Sequence, residues 1–104
     1  MAAPTYVAIA SAGGGNGTTL GFTVPGTAAA GDTLEIAVVV EGAVTIAISG
    51  ATQVAQTQRA SELTVALFEV ANWNGSTTSY TATWGGANRY RSGHIAVFRG
   101  ADTT

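Results

Sequence analysis

Glycines, 14 in all, recur along the whole of this chain, and the stretches between them are rich in threonine and valine. No stretch shows the apolar spacing and terminal caps of a convincing helix. Short runs of β-branched residues bounded by turn residues are typical of sandwiches or barrels of short strands. The sequence therefore predicts an all-β fold, a single antiparallel β-sandwich of jelly-roll type with about eight strands.

The clearest strand is TLEIAVVV at residues 33–40, in which alternate positions from Leu34 to Val40 are apolar. Residues 61–71 also fit a helix capped by Ser61, but their threonine, valine and phenylalanine favour a strand. The segment NWNG at residues 72–75 predicts a hairpin turn. The other predicted strands are residues 6–10, 19–24, 43–48, 52–58, 79–84 and 89–99.

The length of 104 residues fits one domain, residues 1–104, because domains most often run to about 100–150 residues. Within it, SAGGGNG is too rich in glycine to predict a strand, since glycine maximises backbone entropy and allows positive φ. We expect a flexible glycine-rich loop at about residues 11–18.

Charge is scarce. Only 10% of residues are charged and none is lysine, whereas 46% are hydrophobic. Soluble domains carry about 25% charged residues, and mixed surface charge prevents association. We therefore expect that the chain does not live as a free monomer.

The same composition excludes several partners. A net charge of −2 with four arginines offers no basic tract for nucleic acid. The absence of cysteine excludes disulfides and thiolate zinc sites. No apolar run is long enough to cross a membrane, and no basic segment precedes the apolar stretch near the N-terminus, so we expect neither a membrane partner nor a secretory signal.

Catalytic patterns are missing as well. Ser49 lies in AISGA, which does not fit the G-x-S-x-G turn of a hydrolase nucleophile. His94 is the only histidine, and alone on a strand it is better explained as a structural residue than as a base or ligand. Glu62, Glu69, Glu35 and Asp32 could in principle supply a pair of glycosidase carboxylates, but nothing in their spacing selects a pair. We expect no enzyme activity, no catalytic residue, no cofactor and no metal site.

Two segments are candidates for an interface or ligand contact. Trp73, at the predicted hairpin tip, either folds over the end of the sandwich or stands exposed as an anchor. Arg89, Tyr90 and Arg91 begin the last predicted strand. The two arginines share a face of that strand, where they could pair with acids of a neighbouring subunit or with Glu35 or Glu69 of the same chain.

Four segments carry a family resemblance: GDTL followed by EIAVVV, then VTIAIS, then LTVALFEVA, and then SYTATW leading to HIAVFRGADTT. In this order they resemble a β-sandwich family found in bacteriophage virion proteins. Similar domains occur in minor tail and fibre-like proteins and in small virion proteins. The resemblance covers nearly the whole chain from Pro4.

The resemblance implies a non-enzymatic structural protein of a phage virion, assembled in the host cytoplasm. Capsid decoration, head-fibre and minor tail roles all remain open. We expect it to associate with itself as a trimer and with other virion proteins, and a host-surface glycan is a further candidate partner. The alternative is a carbohydrate-binding or adhesin module that docks sugars on Trp73, Trp84, Tyr80 or Tyr90, and a small glycan hydrolase ranks third.

Overall fold

A computed structural model describes residues 5–86 and 88–100, and every regular element within those ranges is a β-strand. The eight strands are β1 (Thr5–Gly17), β2 (Thr19–Thr23), β3 (Thr33–Glu41), β4 (Ala47–Ile48), β5 (Thr52–Arg59), β6 (Leu63–Val70), β7 (Ser79–Thr83) and β8 (Arg89–Arg99). The all-β prediction is confirmed, and residues 61–71 form a strand rather than the alternative helix. Of the segments that carry the resemblance, Pro4 and the last four residues of GADTT lie outside the described residues.

The strands form two antiparallel sheets. The larger sheet has the order β1-β8-β3-β6-β5, and the smaller has the order β2-β7-β4. One cluster of apolar side chains, including both tryptophans, forms the core. This arrangement confirms the predicted β-sandwich, while its jelly-roll connectivity stays a prediction.

Strand β3 lies in the centre of the larger sheet and follows the predicted alternation. Its apolar residues Leu34, Ile36 and Val38 are completely buried, whereas Glu35 and Ala37 between them are only partly buried. A period of two places successive side chains on opposite faces of a sheet. One face of β3 therefore supplies the core, and the other faces outward.

The glycine-rich segment corrects the sequence prediction. Residues 11–17 form the second half of β1 and pair with β8, with a register shift between Gly13 and Asn16. Gly13 has a φ of 104°, and a Cβ there would lie 2.6 Å from the Cα of Ser92. Only glycine permits this close approach to β8. The prediction of a loop is therefore wrong for residues 11–17, because glycine here serves close strand pairing.

The predicted strand at residues 43–48 is reduced to the two residues of β4. Side chains supply the hydrogen bonds that a neighbouring strand would otherwise provide. The Gln56 amide accepts from the Ile46 N–H at 2.8 Å and donates to the Ile46 carbonyl at 3.0 Å, and Gln58 donates to the Val44 carbonyl. The Thr64 hydroxyl accepts from the Val44 N–H at 3.0 Å. These bonds satisfy backbone groups of Val44 and Ile46 without a neighbouring strand.

Residues 72–75 do not form the predicted hairpin. They belong to the connection from β6 in the larger sheet to β7 in the smaller one. Asn72 and Gly75 both adopt positive φ, as the turn chemistry of Asn and Gly predicts, but the chain crosses between sheets there. An Asn-Gly pair marks a turn, and it does not determine which strands the turn joins.

The connection that precedes β3 is organised by the buried Asp32. Its carboxylate accepts from the Ala29 N–H and from Nε and Nη2 of Arg99, each at 2.8 Å. The bidentate hydrogen bond from Arg99 is the main reason why the pKa of Asp32 lies below its ordinary value. The GD of the GDTL segment thus ties the start of β3 to the end of β8.

Candidate interaction face

The larger sheet has one side that no other element of the described chain covers as a layer. We call this side the outer face. It consists of the odd-numbered residues of β3 and β6, the even-numbered residues of β8, and the residues of β1 and β5 that pair with them. The smaller sheet packs on the opposite side, across the core.

Most of the exposed large hydrophobic side chains lie on the outer face. Six large hydrophobic residues in the described ranges are 37–58% exposed. Five of them lie on the outer face, namely Tyr6, Ile9, Val39, Val65 and Tyr90. The sixth, Val54, lies at a register shift in β5. Scattered exposed apolar residues are ordinary, but the presence of five of these six on one side of the sheet makes that side the candidate interaction surface.

Two carboxyl groups lie side by side in this apolar setting. Glu35 on β3 is directly paired with Glu69 on β6, so the two side chains leave the same face of the sheet at neighbouring positions. Burial raises the pKa of Glu35 to about 7, with further contributions from the hydrogen bond to Glu69 and from its charge. Because burial and a neighbouring carboxyl group both disfavour the charged form of Glu35, this residue is partly protonated near neutral pH.

Other charged groups lie toward the ends of the outer face. Arg59 is at the end of the edge strand β5, where it pairs with Glu62 at 3.8 Å with both side chains largely exposed. Glu41 is the last residue of β3, and it lines a cavity of about 360 Å³ together with Glu62 and Tyr90. His94 lies in the interior of the face, opposite Ala37 of β3. No lysine is present anywhere in the chain.

Arg89 and Arg91 share a face of β8, as predicted, but neither pairs with Glu35 or Glu69. Arg91 donates to the backbone carbonyls of Thr19, Gly14 and Gly15 at 2.8–3.1 Å. Arg89 packs beside Gly42, and its Nε is buried with no hydrogen-bond partner among the described residues. Arg91 thus links β8 to the backbone of β1 and of Thr19 at the end of the sandwich. Of the three residues in this segment, only Tyr90 lies on the outer face, where it is 58% exposed.

Trp73 folds into the core, so the first of its two predicted alternatives holds. It is 6% exposed, and its Nε1 donates to the Thr77 carbonyl at 2.9 Å. Trp84 and Tyr80 are also buried, at 4% and 6% exposure. Of the four aromatics proposed for sugar docking, only Tyr90 is available to a ligand at the surface. No flat platform of several aromatic rings exists among them.

The described residues contain no cluster of three or more metal-binding acids or histidines. No helix in that part of the chain is long and apolar enough to span a membrane. Ser49 lies at the turn after β4, whereas His94 is in the middle of β8 on the larger sheet. The acid pair of Glu35 and Glu69 is the feature that sequence reasoning missed, because only the register between β3 and β6 brings the two together.

No family model, curated protein or solved structure matches the chain. The resemblance to phage virion proteins thus depends on the sequence motifs alone.

Proposed function

We propose that this chain is a non-enzymatic structural subunit of a phage virion, assembled in the host cytoplasm, which associates with copies of itself and with neighbouring virion proteins. The observation that supports self-association is the gathering of five exposed large hydrophobic residues on the outer face. Monomeric soluble proteins rarely leave a large contiguous apolar patch uncovered. A subunit whose patch is covered on assembly also tolerates a surface poor in charge.

The virion assignment is supported by the resemblance and by what its motifs do in the fold. The GDTL segment ties β3 to β8 through Asp32, and the segments that follow it supply core strands. These are scaffold roles, as expected for a structural family without catalysis. Capsid decoration, head-fibre and tail positions remain equivalent candidates. Two identical outer faces that stack form a twofold pair, so the trimer that we expect requires a second, heterologous contact between copies.

The first test is the solution mass of the purified chain, measured by light scattering across a dilution series down to micromolar concentration. Ile9→Lys and Val65→Lys place a charge on the outer face and should shift the mass toward the monomer. Thr81→Lys is the matched control, because Thr81 is exposed on the other side of the molecule, on the smaller sheet. A wild-type chain that stays monomeric at high concentration at both pH 6 and pH 8 would refute self-association.

The second test addresses the virion. Particles made by cells that encode the chain are purified on a density gradient and analysed by quantitative mass spectrometry. A structural subunit should be present in many copies per particle and should stay with the particles after a salt wash. Absence from the particles would exclude the virion role even if the chain oligomerises.

A further inference from the structure

The acid pair of Glu35 and Glu69 lies among the apolar residues through which self-association is proposed. Its neighbours on the outer face include Ala37 and Leu67, and Ala96 of β8 pairs with Glu35. A surface that covers this region removes water from two adjacent carboxyl groups. We infer that a second copy of the chain covers the acid pair, and that this association takes up a proton there. The inference rests on the proposed function.

The size of the outer face fits a second copy. Outward side chains lie about 6.7 Å apart along strands that are about 4.8 Å apart, five on each of β1, β3 and β8 and four on each of β5 and β6, and together they cover roughly 740 Å². A stable protein interface of standard size buries about 800 Å² on each partner. The outer face of one copy can therefore supply one side of a standard interface without any further element.

The charges on the face explain why a proton is needed. A second copy brings no lysine, and the arginine of its outer face, Arg59, lies at the end of β5 beside Glu62. The permanent cation that a covering copy brings on this face is therefore already paired with an acid of its own chain. Two like charges under an apolar cover carry a large desolvation cost, which one proton shared between the carboxyl groups reduces.

Few titratable groups face Glu35. Facing Glu35 from β6 is Glu69, and from β8 the nearest titratable residue on the outer face is His94, opposite Ala37. Beyond Glu69, β5 presents Thr52, which does not titrate. Variants of His94 and of the acid pair are therefore required to show which group takes up the proton.

The expected effect follows from the pKa of Glu35, which is raised to about 7 in the uncovered subunit. If each of two copies takes up one proton on association, the dissociation constant falls by about 100-fold between pH 8 and pH 6. Sedimentation equilibrium of the whole chain at pH 6, 7 and 8, at constant ionic strength, measures this change directly. The double variant Glu35→Gln/Glu69→Gln should associate at pH 8 as tightly as at pH 6.

Two control variants assign the proton. Glu41→Gln removes an exposed carboxylate from the end of β3 on the same face, and it should keep the wild-type pH dependence. His94→Gln should also keep most of it. If the dependence survives in Glu35→Gln/Glu69→Gln and disappears in His94→Gln, the assignment to the acid pair is wrong.

The remaining outcomes separate this inference from the proposed function. Association of equal strength at pH 6 and pH 8 refutes proton uptake and leaves self-association standing. Absence of association at every pH refutes both. Association that strengthens as pH rises indicates that cationic groups elsewhere on the copies meet the carboxylates, which also overturns the inference.

Discussion

Replacing Thr64 by valine tests the most specific polar contact in the core. Thr64 is completely buried, and its hydroxyl donates to the Gly42 carbonyl at 2.8 Å while it accepts from the Val44 N–H at 3.0 Å. Valine has nearly the same shape but can form neither bond. Each buried group left without its partner costs about 1–3 kcal/mol, so we expect the free energy of unfolding to fall by about 3 kcal/mol.

Urea denaturation followed by tryptophan fluorescence measures this loss. With a slope of about 1.5 kcal/mol per molar urea, the midpoint should fall by about 2 M. Thr81→Val is the control, because Thr81 is exposed on β7 and should change stability by less than about 0.5 kcal/mol. Hydrophobicity alone predicts that Thr64→Val stabilises the core. A change equal to that of the control, or a gain in stability, would refute the argument that Thr64 satisfies the segment before β4.

Two further substitutions test close packing and the partly buried ion pair of Asp32 and Arg99. A Cβ at Gly93 would press against the backbone of β3 and lie 2.9 Å from Cζ of Phe22, so Gly93→Ala should cost about 3 kcal/mol in urea denaturation. Gly21→Ala, with open space around residue 21, should change stability little, and equal effects at the two sites would contradict the packing argument. Arg99→Gln should lower stability at pH 7, because Arg99 holds the pKa of Asp32 below its ordinary value. The ion pair stabilises the fold at pH values above the ordinary pKa of Asp32, and this stabilisation is lost as the pH falls through the lowered pKa. The free energies of unfolding of the wild-type protein and of Arg99→Gln should therefore converge at low pH. A difference that stays constant down to pH 3 would contradict this argument.

Much of the fold can be predicted from alternation and turn residues. The bounds of β8 are those of the predicted strand 89–99, and β3 extends the predicted strand 33–40 by one residue. The wrong strand and loop predictions come from interactions between segments that are distant in the sequence. Residues 11–17 pair as a strand because β8 is long enough to receive them, and residues 43–46 leave the ladder because side chains from β5 and β6 satisfy their backbone.

The candidate site was less predictable. Tyr90 could be proposed from sequence because an exposed position on a strand follows from alternation. Trp73 could not be assigned, since burial at a turn depends on where the chain crosses between sheets. Glu35 and Glu69 meet through strand register, and a shift of one residue in that register would place them on opposite faces. Their pairing therefore requires the structure.

The edges of the larger sheet bear on which surface mediates assembly. Edge strand β1 has register shifts between Tyr6 and Ala8 and again between Gly13 and Asn16, and edge strand β5 has one beside Val54. Bulges bend a strand and interrupt the row of free backbone groups that a further strand would need. The outer face has no such interruption across its three central strands, whose pairing is continuous. Stacking of outer faces is therefore favoured over addition of a strand at either edge of the larger sheet, and stacking is the geometry that the proposed proton uptake at the acid pair requires.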